Sequence, residues 1–184
     1  DTGPVTSFTL WDQVIDVLLH DVPAAEAADV HVLFAGGIHD ARSTAMVSVM
    51  AAPLAARGMK AGVLMGTAYL FTREIVGTGA VVDGFQREAL TCARTVTLAT
   101  APGHAIRCAP TPFADAFEET RQTLAGLPAP ERAARLEHLT LGRSRVASKG
   151  LQRQDDARLE TLGPASQREL GMYMMGEVAA LRSA

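Results

Sequence analysis

Two glycine turns are the residues of this chain whose types and spacing are best suited to chemistry. Gly36 and Gly37 follow one short apolar run, and Gly66 and Thr67 follow another. Glycine lets a backbone approach a ligand closely, and the N–H groups of two neighbouring turns can converge on a phosphate. The Thr67 hydroxyl can add a hydrogen bond. The spacing predicts a phosphate site, although glycines that only make tight βα turns would look the same.

A βαβ unit is predicted to place the two turns side by side. The apolar runs 30–35 and 61–65 are typical of buried strands. The stretch 41–57 between them is rich in Ala and Met and predicts a helix, which Asp40 can cap at its start. Pro53 lies inside this helix, so we expect a kink or a break near residue 51. The strands should be adjacent and parallel, with their carboxyl ends at one edge of the sheet.

Helices dominate the rest of the chain. Apolar residues at helical spacing predict helices over residues 8–20, 85–93, 113–125, 131–139 and 167–181. A short extended segment is predicted over 95–99, before a turn at Pro102 and Gly103. The predicted fold class is α/β.

The glycine turns and strands match the end of an α/β barrel. In a TIM barrel a phosphate site is often built from the loops after the seventh and eighth strands. We therefore interpret residues 1–100 as the C-terminal βα units of a (β/α)8 barrel, and residues 101–184 as a mostly helical extension. Such a barrel has eight strands, and two are predicted here. We expect the inner strand faces, at Val32, Phe34, Val63 and Met65, to meet water unless a partner segment covers them.

Composition excludes several classes of function. The 184-residue chain has a net charge of −3, and its 17 Lys and Arg residues are scattered, which argues against a nucleic-acid partner. No run reaches the ~18 apolar residues of a membrane span. Cys92 and Cys108 lie in no metal-ligand spacing, so we expect no metal and two reduced thiols, as in a cytoplasmic protein.

Residues 3–74 resemble the nitronate monooxygenase (2-nitropropane dioxygenase) family, whose members are FMN-dependent TIM barrels. The likeness lies in the segments 32–38, VLFAGGI, and 62–74, GVLMGTAYLFTRE. It implies an FMN-dependent oxidoreductase that acts on an alkyl nitronate or an enoyl thioester. The cofactor-binding residues that it implies are Ala35, Gly36, Gly37, Met65, Gly66 and Thr67. The segment 139–150 is similar to the variant carried inside polyketide and polyunsaturated fatty-acid synthases.

The chain also departs from the family pattern. Asp1 stands where the family has the histidine of a Gly-Gly-His-x-Gly turn, so the catalytic residue is unknown. The strands that would surround the flavin ring are missing, so the resemblance implies a partner, either the N-terminal half of the barrel or upstream synthase domains. His39 follows the first turn on the ligand side, where it would contact the flavin or be a solvated loop histidine.

Two other functions fit the residues. The first is a non-catalytic structural or docking segment of a large synthase with a degenerate flavin site, which the missing histidine favours. The second is a phosphate-sugar or nucleotide barrel of the IMP dehydrogenase kind. The second is the weaker of the two, because Cys92 and Cys108 follow the barrel and no catalytic-cysteine loop is visible.

Overall fold

The computed structural model describes residues 3, 5–155 and 157–181. The chain is mixed α/β and forms two compact units, which divide between Ala68 and Tyr69. We call the residues up to 68 unit 1 and those from 69 onward unit 2. The proposed boundary at residue 100 between barrel and extension stays a prediction. None of the helices in the described ranges is long and apolar enough to cross a membrane.

Unit 1 contains the predicted βαβ arrangement. Its elements are α1 (Ser7–Asp21), β1 (His31–Ala35), α2 (Ala41–Ala56) and β2 (Lys60–Leu64), with a 3-10 turn at Ala27–Asp29. β1 and β2 pair in parallel, in a register that runs from His31 opposite Lys60 to Ala35 opposite Leu64. The prediction of two adjacent parallel strands is therefore confirmed.

Helix α2 begins at a capping box and passes through its proline. The Asp40 carboxylate accepts from the Ser43 N–H, and the Ser43 hydroxyl oxygen accepts from the Asp40 N–H, as the sequence predicted for the cap. The predicted break is absent, because α2 continues past Pro53 to Ala56. Proline lacks the N–H that a helical hydrogen bond needs. Because Pro53 lies in the last turn, only a short piece of helix follows the position where that bond is lost. The Arg57 guanidinium then donates to the Val22 carbonyl, 2.7 Å away, just beyond the end of α1.

The core of unit 1 lies on the helix side of the sheet. Phe34 is 2% exposed and packs edge-on against Trp11, with ring centroids 6.0 Å apart. The expectation that Val32, Phe34, Val63 and Met65 would meet water is wrong, because all four pack in this core. Side chains alternate along a strand, so the opposite face carries Leu33 and Leu64, which are 68% and 53% exposed.

Unit 2 is built from short helices and two antiparallel hairpins. Its helices are α3 (Glu74–Gly77), α4 (Asp83–Thr91), α5 (Pro112–Thr123), α6 (Ala129–Thr140), α7 (Arg143–Lys149) and α8 (Pro164–Leu170). Its hairpins join β3 (Val96–Ala101) to β4 (His104–Cys108) and β5 (Leu151–Arg153) to β6 (Leu159–Thr161). The 3-10 turns Leu124–Gly126 and Glu177–Ala179 lie in unit 2, and the 3-10 turn Thr67–Phe71 runs across the boundary in the chain. In the described residues each sheet has two strands, and none closes into a barrel.

The helix predicted over 167–181 is wrong beyond Leu170. Gly171 approaches its neighbours so closely that a Cβ there would lie 2.5 Å from the Gln167 carbonyl oxygen and 3.0 Å from the Ala147 Cα. The chain is extended at this glycine. It then runs beside β4, where the Ala109 N–H donates to the Tyr173 carbonyl over 2.9 Å. Packing at Gly171 therefore overrides the helical pattern of the sequence.

Candidate functional site

The predicted site residues of unit 1 lie where β1 and β2 end. Ala35, the last residue of β1, pairs with Leu64, the last residue of β2. The two glycine turns therefore leave the sheet from neighbouring positions at one edge. Thr67 begins the 3-10 turn Thr67–Phe71 directly after the second of them.

The first turn requires glycine for its backbone conformation. Gly36 and Gly37 have φ angles of 103° and 75°, in the left-handed region that disfavours side chains. A Cβ on Gly37 would meet nothing within 4 Å, so there is open space beside this turn. The first turn thus combines a backbone that requires glycine with open space beside Gly37.

The second turn differs from the first. Gly66 is absent from the positive-φ glycines of the described chain, so a side chain there would be compatible with the backbone. A Cβ on Gly66 would also meet nothing within 4 Å. The side chain of Met65, by contrast, packs against the core of unit 1. A functional need for glycine at 66 would therefore come from a ligand and not from the fold.

Trp11 fixes the end of β1, which the sequence did not predict. Its indole N–H donates to the Ala35 carbonyl over 3.1 Å, while its ring packs against Phe34. Ala35 thus positions the turn through its backbone. The available signal was that the only tryptophan of the chain lies on the apolar face of α1.

His39 and Asp40 close the first turn from the other side. The His39 Nδ1 lies 2.7 Å from the Gly37 carbonyl oxygen, and because a carbonyl only accepts, Nδ1 must carry the proton. Asp40 accepts from the Ser43 N–H over 2.8 Å, and this bond lowers the pKa of the Asp40 carboxyl. A carboxylate thus already lies at the start of α2. An anion at this edge would have to be bound by the turns and not by the helix N-terminus.

The remaining reactive side chains are the candidate metal ligands and the two cysteines. Among the described residues no cluster of His, Cys, Asp or Glu could hold a metal ion. Both cysteines are free, and burial raises the pKa of both thiols, that of Cys108 to about 12. Neither thiol is therefore a thiolate at neutral pH. Asp1, at the position of the family histidine, lies outside the described residues.

Comparison with known proteins yields no assignment. No protein-family model matches the sequence, and no curated protein or solved structure matches it either. The resemblance to the nitronate monooxygenase family, and the FMN contacts that it implies, stay predictions carried by the two glycine motifs.

Proposed function

We propose that this chain supplies the FMN-phosphate-binding turns of a flavin-dependent oxidoreductase, of the nitronate monooxygenase or enoyl reductase type. The observation that carries the proposal is the parallel β1–β2 pair, which brings the Gly36-Gly37 and Gly66-Thr67 turns to one edge of a sheet. FMN would supply the redox chemistry when bound, and the protein would orient it.

The geometry of the turns fits a phosphate in three respects. Space is open beside Gly37 and Gly66, as a close backbone approach requires. The ring N–H of His39 donates to the Gly37 carbonyl, and this hydrogen bond would reduce the repulsion between that oxygen and a bound anion. The Ala35 carbonyl is likewise occupied by the Trp11 N–H. In this proposal the turns offer N–H donors while two of their carbonyls are already paired.

The exposed face of the sheet supports a partner. Parallel sheets occur almost only with both faces covered, yet Leu33 and Leu64 are exposed on the face that points away from the helices. In a barrel such side chains would fill the interior. We therefore propose that the N-terminal half of a TIM barrel, or an upstream synthase domain, covers this face in the cytoplasm. That partner would select between a nitronate and an enoyl thioester.

One observation favours the alternative function, a structural or docking segment that binds no flavin. The Asp40 carboxylate takes the Ser43 N–H at the start of α2 and places a negative charge three residues after Gly37. That charge would oppose a phosphate at the first turn. A visible absorption spectrum of the full-length protein separates the two functions, because only the first gives flavin bands.

Gly66→Val tests the proposed role of the second turn. Gly66 has open surroundings and no positive φ, so valine should fold there but fill the space of the phosphate. We expect FMN affinity to fall about 10-fold or more, the loss of one or two charge-assisted hydrogen bonds. Gly163→Val is the matched control, because Gly163 is equally open but lies outside both turns. Unchanged flavin content in a folded Gly66→Val protein would overturn the proposal.

A further inference from the structure

Unit 2 contains a cavity that the proposed flavin function does not use. It has a volume of about 340 Å³ and lies between the end of β3 and the α5–α6 helix pair. Small-molecule sites usually measure about 300–1,000 Å³, so its size suits a small ligand. Its walls are mixed, because the apolar residues Ala99, Ala101, Pro102, Ala125 and Leu136 line it together with Thr100 and two arginines.

The two arginines add positive charge to the cavity, and only one of them is neutralised. Arg121 donates to both carboxylate oxygens of Glu118, each over 2.6 Å. Arg132 donates to the Ala125 carbonyl over 3.3 Å, and no carboxylate lies within ion-pair distance of it in the described residues. The nearby Glu131 is paired with Arg135 over 2.7 Å. The half-buried residue Arg132 is therefore left without a counterion at the cavity among the described residues.

The position of Arg132 strengthens the positive potential. It lies in the first turn of α6, where the helix dipole is positive and a cation is unfavourable. Thr100, also at the cavity, donates its hydroxyl proton to the His104 carbonyl over 3.3 Å, so it does not compete as the donor for an anion. Arg132 is thus the group that a bound anion would meet.

We propose that this cavity binds a small organic monoanion, a carboxylate with a short apolar chain. A carboxylate matches the planar fork of a guanidinium, and one negative charge balances the single unpaired Arg132. The apolar chain would lie against the alanine and leucine side chains. The site belongs to unit 2 alone and is independent of the flavin proposal.

Butyrate is the probe for the test, and 1-butanol and butylammonium are its neutral and cationic counterparts. The full chain, labelled with ¹⁵N, is titrated with each compound while the backbone amides of Ala99, Thr100 and Ala101 are followed by NMR. We expect butyrate alone to give saturable shifts at these amides. No saturable shift, or equal shifts with 1-butanol, would overturn the proposal.

Three variants assign the charge that recognises butyrate. Arg132→Gln should weaken butyrate binding about 10-fold or more, since it removes a charge-assisted hydrogen bond. Arg132→Lys keeps the charge without the fork and should give an intermediate affinity. Arg145→Gln is the matched control, an exposed arginine of α7 outside the cavity, and should bind butyrate like the wild type. If Arg132→Gln does not fold, the lysine variant decides, and wild-type affinity in a folded Arg132 variant refutes the assignment.

Discussion

The sheets of the two units differ in what their outer faces carry. In unit 2 the β3–β4 hairpin buries Leu98 and Cys108 against the α5–α6 side and turns the polar residue Thr97 outward. In unit 1 the parallel pair buries Phe34 and turns Leu33 outward at 68% exposure. An antiparallel sheet is compatible with one wet face, whereas a parallel sheet is normally covered on both.

This difference distinguishes a sheet whose outer face suits water from one whose outer face carries exposed leucines. The outward residues of the β3–β4 hairpin are compatible with water, so its helices complete it. In unit 1 the outward side chains of Leu33 and Leu64 are apolar, and their exposure to water is unfavourable. The two edges of the β1–β2 pair are also unpaired in the described residues. The exposed face of unit 1 is therefore where the proposed partner would bind.

The largest expected effect is on the buried face of β1. Phe34→Ala should lower the free energy of unfolding of unit 1 by about 3–5 kcal/mol, because it removes a buried ring that packs on Trp11. Leu33→Ala, one residue away on the exposed face, should change it by less than about 0.5 kcal/mol. Fluorescence of Trp11, the only tryptophan, follows unit 1 during urea unfolding. Equal losses for the two variants would mean that Leu33 is covered in the isolated chain.

Local signals account for what the sequence predicted well. The apolar spacing of α1, the Asp40 cap of α2 and the glycines after each strand are all local, and the structure has these elements close to their predicted bounds. The sequence also predicted that the two turns lie side by side, because parallel strands joined by one helix end at the same edge of a sheet.

Long-range contacts explain what the sequence did not predict. Strands β5 and β6 have three residues each and little burial, so they show no alternating pattern. The helix after α8 is prevented by the close approach of Gly171 to Ala147, which lies far away in sequence. The bond from Trp11 to the Ala35 carbonyl likewise joins residues that no local pattern relates. In the candidate site, sequence predicted the turns but not the groups that hold them.

The second-largest expected effect is the pH dependence of stability that comes from the buried Cys108 in the core of unit 2. The pKa of Cys108 is raised from 9.0 to about 12 by burial, so the folded thiol keeps its proton where the unfolded one loses it. The resulting stability is complete below pH 9 and is lost as the pH rises from 9 toward 12. We expect the free energy of unfolding to fall with a slope approaching about 1.4 kcal/mol per pH unit above pH 9.

Between pH 9 and 10 the slope comes mainly from the two thiols, because the raised pKa of Tyr173 begins from 10.0 and adds most of its slope above that pH. The cysteine variants then separate Cys108 from Cys92. Urea unfolding followed by circular dichroism reports on the helices of both units, and Trp11 fluorescence identifies the part of the transition that belongs to unit 1. Cys108→Ala should flatten the pH dependence of the free energy of unfolding. Cys92→Ala removes a half-buried thiol and should leave most of that pH dependence. A slope unchanged in Cys108→Ala would show that this part of unit 2 opens to water.

The smallest expected effect is at the surface of unit 2, where the short Glu118–Arg121 ion pair should contribute little to the free energy of unfolding. Hydrogen bonds from Arg121 and Gln122 lower the pKa of Glu118 to about 2, yet the Glu118 side chain is 43% exposed. Solvent screening limits such a pair to about 0.3–0.5 kcal/mol, so Glu118→Gln should lower the free energy of unfolding by no more than that at pH 7. The contribution is present above pH 4.5 and is lost as the pH falls toward 2. Glu119→Gln, next to it and without an ion pair among the described residues, is the control. A loss above about 1 kcal/mol that persists in 1 M salt would mean that this surface is covered in solution, and the contrast between a closed unit 2 and an open unit 1 would no longer hold.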